Sequence, residues 1–141
     1  MRTSIFALLA IVVGAVAISR IVARRRGTKP EEDRFLEARF GSIGTGINEE
    51  ALDVVLDVVC EGTRRGRVVR VLSRTWGIEG ERDFCVQYAT GEALRQDLAR
   101  IRARLPKQNA MRPLPTLRTT RECIAATSGP PFAEINPCTR S

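Results

Sequence analysis

From Thr3 to Ala23 the chain is almost unbroken in its apolarity, and Arg24, Arg25 and Arg26 follow at once. No charge occurs between Ser4 and Ser19, and the run, with Arg20 near its end, counts 21 residues. A bilayer core about 30 Å thick takes on the order of 20 helical residues. Arg20 can keep its stem in the apolar layer while its guanidinium reaches the headgroups. The expectation is a single transmembrane helix over residues 1–26, contacting membrane lipid.

The flanks set its direction. Arg20, Arg24, Arg25, Arg26 and Lys29 outweigh Arg2 and the α-amino group, and such charge tends to stay cytoplasmic. That places the N-terminus outside and the remainder in the cytoplasm. The alternative is a cleaved signal peptide with Ala15-Val16-Ala17 as its small-residue cleavage site, which makes the rest secreted or periplasmic. Within the run Ala7, Ala10, Gly14 and Ala17 form a stripe of small side chains. Such a stripe allows close packing against another membrane subunit or a second copy.

The formal charge of +7 belongs mostly to this flank. Residues 1–30 carry six basic residues and no acid, whereas residues 31–141 carry 17 against 16. A domain that tracks phosphates carries its own basic excess, so nucleic acid is a poor partner here. Arg64, Arg65, Arg67, Arg70 and Arg74 do form an acid-free stretch, the candidate contacts to an anionic partner or lipid. The competing reading is that the acidic residues 31–61 fold back onto these and onto the basic residues of 95–121.

Residues 27–47 read as a linker, with Arg34–Phe40 as a short amphipathic turn and Gly41, Gly44 and Gly46 as a hinge. The Gly41–Gly46 stretch lacks the Gly-Lys-Ser/Thr ending of a phosphate loop. Asn48 is a candidate N-cap, and Leu52, Val55, Leu56 and Val59 keep helical spacing up to a stop at Gly62. Val68–Trp76 and Glu81–Thr90, joined by Gly77-Ile78-Glu79-Gly80, predict a β-hairpin. Leu94, Leu98, Ile101 and Leu105 mark a second helix that starts at Thr90 or Gly91 and ends at Pro106. The fold class is therefore α+β: the membrane helix, then a small α-β-β-α domain over 48–106, then a largely irregular Pro-rich tail over 107–141. A core of that size is thin, which favours help from a partner or an oligomer.

Cys60, Cys85, Cys123 and Cys138 show no paired metal-ligand spacing, and histidine is absent. No metal site, cofactor or catalytic residue is expected, since neither a nucleophile elbow nor a dinucleotide fingerprint occurs. An even count allows two disulfides in three connectivities. Cys60 and Cys85 read as buried within the domain, which leaves Cys123 and Cys138 as the better pair. The function these features favour is a non-catalytic accessory or assembly subunit docking onto a larger membrane complex. The alternatives are an exported disulfide-bonded binding domain and a membrane-tethered nucleic-acid or anionic-lipid binder.

Overall fold

The computed structural model describes residues 32–108, 111–123 and 130–139. The apolar run, its flank Arg20, Arg24, Arg25 and Arg26, and the stripe Ala7, Ala10, Gly14 and Ala17 lie outside those residues. Among the described residues no helix is long and apolar enough to cross a membrane.

Seven elements follow in order: β1 (Phe35–Phe40), α1 (Glu49–Arg64), β2 (Val68–Trp76), β3 (Glu81–Tyr88), α2 (Gly91–Arg104), β4 (Thr116–Thr120) and β5 (Ala133–Glu134). All strands join one antiparallel sheet in the order β4-β1-β3-β2-β5. Strands β1 and β2 run parallel with β3 between them, and β3 and β4 run parallel with β1 between them. The first six elements thus make two interleaved split β-α-β units, the ferredoxin-like arrangement.

This corrects the smaller α-β-β-α expectation at both ends. Arg34–Phe40 is not a linker turn, because Leu36, Ala38 and Phe40 alternate with Glu37 and Arg39 and so suit a strand with one face buried. That strand lies inside the sheet, paired to β3 with Leu36 opposite Val86 and to β4 with Glu37 opposite Arg118. The C-terminal stretch in turn supplies both sheet-edge strands, β4 and β5.

The helices and one sheet face share the core. Leu36, Ala38, Phe40, Val71, Phe84, Val86 and Tyr88 pack with Leu52, Val55, Val59, Leu94, Leu98 and Ile101. Phe40 and Phe84 meet edge to face at 5.8 Å between ring centres. Caps fix both helix starts: Asn48 Oδ1 accepts from the Ala51 N–H at 3.0 Å, and Thr90 Oγ1 accepts from Ala93 at 3.1 Å. The first helix does not stop at Gly62. It runs to Arg64, and Gly66 at φ +69° follows as the left-handed residue that ends it. Gly62 instead serves close approach, since a Cβ there would meet Asp97 Oδ2 and Val68 Cγ2 at 2.8 Å.

The hairpin forms as expected, over Val68–Trp76 and Glu81–Tyr88. Its register shifts between Val68 and Arg70, leaving Val69 exposed as the extra residue of a bulge. Val68 and Val71 both turn to the helices, while Arg70, Leu72, Arg74 and Trp76 share the opposite face.

Candidate functional site

The face turned away from the helices carries Phe35, Glu37 and Arg39 from β1 and Asp83, Cys85 and Gln87 from β3. Arg70, Leu72 and Arg74 of β2 and Arg118 of β4 lie beside them, as the cross-strand pairs require. Such a face ordinarily meets water. Here Asp83, Cys85 and Arg74 are buried, because the C-terminal segment covers them.

Disulfides hold that cover in place. Cys85, in the middle of the sheet, bonds Cys123, with Cα atoms 6.0 Å apart. Phe132 then lies over the Arg74 guanidinium at 4.8 Å, and β5 pairs with β2 at Leu72 and Ser73. Past that edge Cys138 reaches the helix layer and bonds Cys60 of α1, with Cα atoms 4.9 Å apart. The segment therefore passes from the open face around the β2 edge to the helices. The expected Cys123–Cys138 pair does not form: the two cysteines end on opposite layers of the domain, each against one of the buried pair. Cysteine spacing along the chain carries no information about that wrap.

Beside Phe132 lies a pocket of about 200 Å³, walled by Arg39, Arg74, Arg118, Glu37 and Asp83. Asp83 is its fixed point. Arg74 donates Nε and Nη2 to Asp83 Oδ2 at 2.9 and 2.6 Å, and Arg39 donates Nε to Oδ1 at 3.1 Å. The side chains of Arg74 and Asp83 are 8% and 7% exposed, so this pair is structural, whereas Arg39 is 63% exposed. Only the Nε edge of Arg39 is used among the described residues. Arg118 makes no hydrogen bond or ion pair among them.

The five arginines singled out from sequence do not form one face. Arg65 pairs with Glu61 at 2.7 Å, Arg67 with Asp97 at 3.0 Å, and Arg70 with Glu134 at 3.0 Å. Arg74 is the buried partner of Asp83, and Arg64 lies exposed at the end of α1. Acidic residues do fold back onto basic ones: Glu61 also takes Arg100, and Asp57 takes Arg104 at 3.4 Å. The hydrogen bond from Arg100, and then its charge, hold the Glu61 carboxyl below the ordinary glutamate range. Arg39 and Arg118, the two accessible cations of the pocket, carried no pattern in sequence, since each is a lone arginine in a strand that pairing alone brings together.

Two further polar clusters are internal. Asp97 Oδ1 accepts from Arg67 and Arg100, and burial, followed by the Asp97 charge, pushes the Tyr88 hydroxyl well above its usual range. In the glycine loop Glu79 is the anchor, accepting from Ser42 Oγ and from the Gly44 N–H at 2.9 Å. Among the described residues no group of three carboxylate, cysteine or histidine side chains is placed to hold a metal. No family model, curated protein or solved structure matches this chain.

Proposed function

We propose that residues 32–141 form a non-catalytic binding domain that works outside the cytosol, exported by the apolar N-terminal run and either released from it or left tethered to the membrane. The observation that carries this reading is the pair of disulfides, Cys60–Cys138 and Cys85–Cys123, which use every cysteine in the chain. Such bonds persist in oxidising compartments and are rare where thiols are kept reduced. They also suit a domain of this size, whose core gains from cross-links. The absence of histidine and the internal pairing of most carboxylates favour binding over acid–base chemistry. Ligand recognition then falls to the covered sheet face, where fixed and accessible arginines stand together.

The second reading is an accessory subunit with a cytoplasmic domain, favoured by the Arg20–Arg26 flank. Mass measurement of the mature chain from its native cells, with and without alkylation, separates the two. Paired thiols, on a chain starting near Ile18 or on an intact one, support export. Four alkylated thiols on an intact chain overturn it in favour of the accessory subunit.

A further inference from the structure

We propose that the pocket between β1, β4 and Phe132 is a binding site for a single carboxylate, held by the Nη edge of Arg39 and by Arg118. The inference rests on reading the domain as a binding module and names the ligand class. A guanidinium offers donors along two edges, each able to hold a carboxylate in a planar fork. Arg39 spends one edge on Asp83 and presents the other to solvent. Asp83 thus fixes the arginine that is to receive the ligand, while Arg74, itself against the Phe132 ring, holds Asp83. Arg118 stands across from Glu37, the residue two positions before Arg39 on the same face of β1. It reaches the same pocket and makes no hydrogen bond or ion pair among the described residues.

Charge and size narrow the ligand. Arg74 and Asp83 are spent on each other, which leaves Arg39 and Arg118 to face the ligand beside the Asp83 and Glu37 carboxylates. A monoanion fits between the two guanidinium groups, whereas a phosphate dianion would add a second negative charge beside those carboxylates. A cavity of about 200 Å³ admits a carboxylate with a few attached atoms, such as the terminal residue of a peptide or a small organic acid. It is too small for a drug-sized molecule, whose sites span roughly 300–1,000 Å³.

The test is a titration of the oxidised full chain in non-ionic micelles, followed through the arginine Nε–H resonances. The probes are N-acetylglycine, its neutral amide N-acetylglycinamide, and inorganic phosphate. N-acetylglycine is expected to shift Arg39 and Arg118 saturably, the amide to leave both unmoved, and phosphate to bind more weakly. Arg118→Gln, which breaks no hydrogen bond or ion pair among the described residues, is expected to weaken N-acetylglycine binding roughly tenfold or more. Arg102→Gln on the exposed face of α2 is expected to leave it unchanged. Equal response to the amide, tighter binding of phosphate, or full affinity in the Arg118→Gln chain would overturn the assignment. The alkylation experiment reads compartment alone, so failure of one test is distinguishable from failure of the other.

Discussion

Arg74 donates two hydrogens, from Nε and Nη2, to one oxygen of Asp83, and both side chains are buried on the sheet face turned away from α1 and α2. The pair survives desolvation because Arg39 occupies the second oxygen and Phe132 lies against the guanidinium. A buried pair of this kind contributes little against an apolar substitute, yet removing one member strands the other. Asp83→Asn is therefore expected to cost about 3–5 kcal/mol. Arg39→Gln, which removes only the exposed member, is expected to cost under about 1 kcal/mol. Urea unfolding of the two variants reads the difference, and equal losses would refute the division into a structural and an accessible arginine.

The two disulfides close loops with sequence separations of 78 and 38 residues. Chain entropy gives each about 4 kcal/mol of stabilisation, the longer loop slightly more. Replacing Cys60 and Cys138 together by Ala should free the end of the tail while leaving Cys123 over the sheet. Replacing Cys85 and Cys123 should instead expose the centre of the open face. Hydrogen exchange of the β2 amides distinguishes them: the first variant is expected to lose protection of the Leu72–Ser73 edge, the second to retain more of it.

At Gly62 the space a side chain would need is taken by Asp97 Oδ2 and Val68. Gly62→Ala must push α1 away from both, at a cost of about 1–3 kcal/mol. That sign opposes the helix-propensity gain of about 1 kcal/mol that the same change brings in an open helix interior. A rise in the thermal midpoint of the Ala variant would show that the helices can separate freely there.

Acid should loosen the contact between the β1–α1 loop and the hairpin turn. The hydrogen bond from Ser42, helped by the backbone N–H groups of Gly44 and Gly46, holds the Glu79 carboxyl below its ordinary value of 4.5. A depressed carboxyl contributes stability that is fully present above its unfolded-state value and is lost as pH falls through its folded-state value. The Gly44 amide should therefore keep its chemical shift from neutral pH down to about 4.5 and change below it. Glu79→Gln should abolish that acid transition, and its persistence would assign it to another group.

Legibility in sequence followed the periodicity available to each element. Leu94, Leu98 and Ile101 repeat over two turns, and Val68–Trp76 is bounded by two glycines, so α2 and the hairpin announced themselves. The six residues of β1 do alternate, but they sit between an acidic stretch and a glycine-rich loop, where a short run reads as a connector. Strand β4, Thr-Leu-Arg-Thr-Thr, has one apolar residue and lies at an edge, so its pairing with β1 supplies the order that its composition does not. The pocket shared that fate, since Arg39 and Arg118 lie far apart in sequence and become neighbours only through this register.

Strand β1 has later-arriving segments on both sides: its neighbours are β3 and β4, while α1 waits for Cys138. A chain emerging N-terminus first thus makes this interior strand long before either neighbour exists. Contacts so distant in sequence form slowly and leave apolar edges exposed meanwhile. Maturation of this domain is consequently a post-synthetic event that needs the C-terminal segment delivered to the same compartment as β1. A chain halted before Thr116 would hold a sheet lacking β4 on one flank and its covering strap on the other.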